Sequence, residues 1–134
     1  MKIVVITNEE LKKEMLFQEL SGNIEVEWQQ EMRQVHGADA YIDLLFNHSA
    51  ERIDKLKEFQ PAIIIVNSVI VPLNDLPAGF VRINGWNSFL RRPLVEAAGD
   101  DVNKIASENI FSCFNKSVEW VADIPGFITP RVIS

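Results

Sequence analysis

The residues able to do chemistry in this chain are few and scattered. Its two histidines, His36 and His48, have no neighbouring cysteine pair, and Cys113 is the single cysteine. That excludes an internal disulfide, and it leaves a zinc ion without a ligand set of the usual N/S kind. No metal site is therefore expected. Cys113 stands between Phe111 and Phe114 in an expected helix and reads as core filler rather than a nucleophile. His48 falls at an expected helix start, with no acid or nucleophile legible around it, and reads as structural. Arg91 and Arg92 suit the phosphates of a ligand or an exposed helix end. Trp28 and Trp86 suit stacking on adenine or covering the sheet edge.

The elements that must position these residues alternate between strand and helix. Ile3 to Thr7 reads as a buried strand, followed by a helix from Glu9 to Leu20 with Leu11, Met15, Leu16 and Leu20 on one face. Ser21-Gly22-Asn23 stops it, and Ile24 to Trp28 reads as the second strand. Gln29 to Val35 is expected as a short helix ended by Gly37, and Ala38 to Leu45 as the third strand. Asn47 or Ser49 then caps a helix to Phe59, with Ile53, Leu56 and Phe59 inward. After Pro61, Ala62 to Val66 has the apolar run of a central parallel strand. Gly79 to Ile83 and Pro93 to Ala98 read as further strands, Asp101 to Phe114 as a helix, and Val118 to Ala122 as the last strand. Such alternation predicts an α/β fold with helices on both faces of a mostly parallel sheet.

Length and composition fit one domain spanning 1–134: 134 residues, 47% of them hydrophobic, suffice for one core. The net charge of −6 argues against a nucleic-acid partner, which needs a basic face. No apolar run approaches the length of a membrane span. The apolar start, Met1 to Ile6, is too short for a signal peptide and runs at once into Glu9 and Glu10. A soluble cytoplasmic protein is the expectation.

Near the C-terminus stands Asp123-Ile124-Pro125-Gly126-Phe127-Ile128-Thr129-Pro130-Arg131-Val132. It resembles the D-x-P-G-F-I-x-N-R-V signature of the 3-hydroxyacyl-CoA dehydrogenases, departing mainly at Pro130. Asn84-Gly85-Trp86-Asn87-Ser88-Phe89 through Leu94-Val95-Glu96 is similar to that family's H-F-F-N-P stretch leading to L-V-E. Ala38 to Asn47 resembles its A-D-x-V-I-E-A-V-x-E strand, and Val66-Asn67-Ser68 its serine-rich turn. The likeness covers most of the chain from Ala38 onward. It implies a Rossmann-like three-layer domain without the family's helical C-terminal domain. It also implies NAD as cofactor and an acyl-CoA-like small molecule as ligand.

Carried over by position, the resemblance puts Asn84 where the family has its general-base histidine and Glu96 where it has the glutamate that orients it. Asn87 matches an asparagine near the substrate, and Ser68 the threonine of the serine-rich turn, with Val69 and Ile70 replacing the serines that follow. Asparagine can hydrogen-bond a substrate oxygen but has no group to take its proton, and general acid–base groups are worth about 10²- to 10⁴-fold. Asn84 and Asn87 also read simply as turn and cap residues.

The cofactor loop departs further. A dinucleotide fold needs G-x-G-x-x-G between the first strand and helix, so that backbone can approach the pyrophosphate. Here Ile6-Thr7-Asn8-Glu9-Glu10 contains no glycine, leaving Thr7 and Asn8 as the cofactor-facing candidates. Glu9 and Glu10 put two carboxylates where a phosphate would dock. Glu27 lies about 20 residues on, at the place of a ribose-binding acid.

Two readings follow. In one the chain is a degenerate relative, a pseudoenzyme or binding module keeping a strand-end cleft around Ser68, Asn84, Asn87 and Glu96. In the other it remains an NAD-dependent dehydrogenase of fatty acid metabolism, with atypical cofactor binding or a site completed by another chain. A purely structural or oligomerising domain is a third class. The apolar segment Phe127 to Ile133 either packs on the sheet or forms a homodimer contact.

Overall fold

Val and Ile crowd the strands because the central strands are covered on both faces. The computed structural model describes residues 1–9, 24–68, 76–83 and 93–121. Among them, seven strands form one sheet: β1 (Lys2–Ile6), β2 (Glu25–Gln29), β3 (Ala40–Asp43), β4 (Ile63–Asn67), β5 (Phe80–Ile83), β6 (Leu94–Ala98) and β7 (Ser117–Trp120). Their order across the sheet is β2-β1-β3-β4-β5-β6-β7. All neighbours run parallel except β5 and β6, where Arg82 faces Ala98 and Ile83 faces Ala97 in antiparallel register. The ten residues 84–93 between those two strands are fewer than the dozen or more of a usual parallel crossover.

Among the described residues, two helices cover opposite faces. α1 (Ala50–Glu58) sets Leu56, with Phe59 just beyond it, against Val4, Ile6, Tyr41, Ile64 and Val66. Phe59 stacks on Tyr41 at 4.4 Å between ring centroids. α2 (Asp101–Cys113) sets Ile110 and Phe111 against the other face, which carries Ile3, Val5, Ile42, Ile65, Val81 and Val95. Val4, Val5, Ile64, Ile65, Val81 and Val95 are fully buried. Each such side chain contributes about 1.5–3 kcal/mol relative to an exposed one. The mostly parallel α/β expectation holds.

Two expectations change and one alternative is decided. Residues 29–35 form no helix: Gln29 ends β2, and the ten residues 30–39 bridge to β3 as irregular chain. They must return the length of β2 and step over β1, a path of roughly 19 Å at strand dimensions. Ten helical residues would cover only about 15 Å, whereas extended chain covers twice that. Gly37, with φ +76°, supplies the left-handed turn before β3. Of the two cap candidates for α1, Ser49 takes the position, its Oγ accepting from Arg52 N at 3.2 Å, while Asn47 Oδ1 accepts from Ser49 N at 3.0 Å. Cys113 is half-buried and stands apart from the core cluster that holds Phe111 and Phe114, its Sγ donating to Asn109 O. Two residues along a helix is about 200° of rotation, which turns Cys113 away from the face that buries Phe111.

Candidate functional site

β1 lies between β2 and β3, so the chain reverses its direction of travel across the sheet there. In open α/β sheets, ligands bind outside the carboxyl ends of the strands at such a reversal. The segments at that edge are Thr7–Glu9 after β1, Gln30–Met32 after β2, Leu44–Ser49 after β3, and Ser68 after β4.

The β1 end is tightly filled. Thr7 is buried, its N–H donating to Gln29 O at 2.8 Å, and Glu9 is exposed at a helix start. Glu27 sits in the middle of β2 rather than at its end, and its Oε2 accepts from Gln29 Nε2 at 2.7 Å. The Gln29 amide also donates to Arg33 O and accepts from Arg33 N, both at 3.1 Å. Among the described residues, Thr7, Asn8, Glu9, Trp28, Gln29 and Gln30 border a hollow of about 30 Å³. That admits roughly two waters. As arranged, these residues do not fit a pyrophosphate: the space is too small and Glu9 supplies the wrong charge.

The β3 and β4 ends are built differently. Asp43, fully buried at the end of β3, holds Arg52 of α1 in a bidentate pair, Nε to Oδ2 and Nη2 to Oδ1 both at 2.6 Å. Asp43 Oδ1 also accepts from Leu45 N at 3.0 Å. Burial pushes the Asp43 carboxyl above its ordinary 3.8; the Arg52 hydrogen bond and charge, and the Leu45 N–H, oppose that shift without cancelling it. Beside this pair lies an open, polar hollow of about 410 Å³, bordered by Gln30, Glu31, Met32, Asn47, Ser49 and Arg52. Its size falls within the range of small-molecule sites.

Ser68 is buried, and its N–H donates to Ile83 O at 3.1 Å, carrying the β4–β5 ladder one step beyond β4. Its Oγ lies 3.5 Å from His48 Nε2. His48 is exposed, its ring edge-on to Phe46 with centroids 5.2 Å apart. On the other side of β5, Glu96 is buried and directly precedes Ala97, the partner of Ile83. Ser68 and Glu96 thus flank the carboxyl end of β5, whereas Thr7 and Asn8 lie two strands from Ser68, roughly 10 Å away at sheet spacing. Asn84 and Asn87 lie outside the described residues, as do Val69, Ile70, Trp86, Arg91, Arg92 and the 123–132 segment.

Sequence reasoning missed two features. Arg82 is fully buried, on the same face as Glu96 by register, since it pairs with Ala98. Strict alternation along Phe80-Val81-Arg82-Ile83 was the available signal. The approach of His48 to Ser68 joins residues from separate connections and leaves no local signal. Among the described residues, no group of three or more His, Cys, Asp or Glu side chains is placed to hold a metal ion, and no helix is long and apolar enough to cross a membrane.

No family model matches the chain, and no curated protein matches it in sequence. Solved structures do match. A 3-hydroxyacyl-CoA dehydrogenase from Archaeoglobus fulgidus is similar over 99% of this chain, with a TM-score of 0.69 and 15% identity. An FHMPC 5-dehydrogenase, described as an NAD+-dependent dismutase, is similar over 98%, with a TM-score of 0.71 and 14% identity. The (S)-3-hydroxybutyryl-CoA dehydrogenase of Ralstonia eutropha is similar over 81%, with a TM-score of 0.63 and 17% identity. The likeness covers 59%, 61% and 44% of those chains respectively. At these identities it establishes a shared Rossmann-like fold over part of the length of such dehydrogenases.

Proposed function

We propose that this chain is a small-ligand-binding module, a divergent relative of the 3-hydroxyacyl-CoA dehydrogenases that has given up dinucleotide binding and hydride transfer. The observation that carries this reading is the β1 end, where about 30 Å³ remains beside the Glu9 carboxylate. The sequence supports it independently: the first junction has no glycine, and Asn84 stands where the resemblance places a histidine. The polar hollow beside the β3 end offers space for a ligand, and Ser68 and Glu96, the family-equivalent positions among the described residues, flank the carboxyl end of β5. An acyl-CoA-like compound is the ligand class that the resemblance suggests, and a pseudoenzyme of the cytoplasm is the corresponding cellular role.

The competing reading is an active NAD-dependent dehydrogenase, with atypical cofactor binding or a site completed by another chain. One observation favours it: Glu96, the position of the family's orienting glutamate, is buried next to the end of β5. A thermal-shift titration with NADH, NAD and acetoacetyl-CoA, separately and combined, separates the two. A ligand at ~100 times its dissociation constant adds about 2.7 kcal/mol, which is several degrees for a domain of this size. The binding-module reading predicts a shift with the CoA ester and none with either dinucleotide. A clear shift with NADH overturns it in favour of the dehydrogenase. No shift with any of the three removes the small-ligand reading and points to a structural or oligomerising domain.

A further inference from the structure

We draw no further inference here: the strongest candidate, the open hollow beside the β3 end bordered by Gln30, Glu31, Asn47, Ser49, Arg52 and Lys55, belongs to the site already described, and the opposite charges of Glu31 and Lys55 around it single out no ligand chemistry.

Discussion

Two neighbouring regions of the same sheet edge have been finished in opposite ways. At the β1 end, polar side chains are consumed by one another. Gln29 is bonded to Glu27 and Arg33, and the Thr7 N–H is taken by Gln29 O. At the β3 and β4 ends, one buried ion pair anchors α1, and around it polar groups stay open toward a hollow of about 410 Å³. The fold alone therefore does not carry the ligand site; the side chains at each strand end decide whether there is one. A sheet of this type can keep its topology while filling one strand end and leaving the neighbouring ones accessible.

The largest expected effect comes from the anchor at the open end. Arg52→Ala leaves the Asp43 carboxylate buried without its cation and should destabilise the fold by about 3 kcal/mol, read from urea unfolding. A loss under about 1 kcal/mol would mean that the pair is not what holds α1 over this end. The pH dependence sharpens the point. Because burial raises the folded pKa of Asp43 above 3.8, the native state binds the proton more tightly than the unfolded chain. Its contribution to stability is present below the unfolded pKa and is lost as pH rises through the folded one. Asp43→Asn should remove that slope, and Arg52→Ala should extend it to higher pH.

The closed end should respond less. Gln29→Ala removes three hydrogen bonds of a buried amide and should cost about 2 kcal/mol. It should still confer no NADH binding, since the Glu9 carboxylate remains; a gain of binding would show that crowding was the sole obstacle. Smaller again, and opposite in sign, is Thr7→Val. Thr7 Oγ1 is buried with no hydrogen-bond partner among the described residues, so an isosteric apolar replacement should be neutral or stabilise by up to about 1 kcal/mol. A clear loss in thermal midpoint would show that this hydroxyl has a partner after all.

The sequence made the strands legible because doubly buried strands demand unbroken runs such as Ile63-Ile64-Ile65-Val66. It made α1 legible because Ser49 and the Leu56–Phe59 spacing are local signals. The connection after β2 misled because Gln, Glu, Met and Arg all tolerate helix, while the return path over β1 requires extended chain. Tyr41 holds that path, its hydroxyl accepting from Val35 N at 2.8 Å, a bond between residues that local propensity does not relate. The same limit applies to the site. The glycine-free junction after β1 could be read directly, since it is one short run of residues. The Asp43–Arg52 pair and the meeting of His48 with Ser68 depend on which strands lie side by side, and composition carries no record of that.

The contrast between the two ends is tested most directly by mapping amide ¹H–¹⁵N resonances while acetoacetyl-CoA and NADH are added in turn. The account predicts that acetoacetyl-CoA moves the amides of Leu44 to Ser49 and of Ser68, leaves those of Thr7 to Glu9 in place, and that NADH moves neither set. Movement of Thr7 to Glu9 on addition of NADH would contradict it.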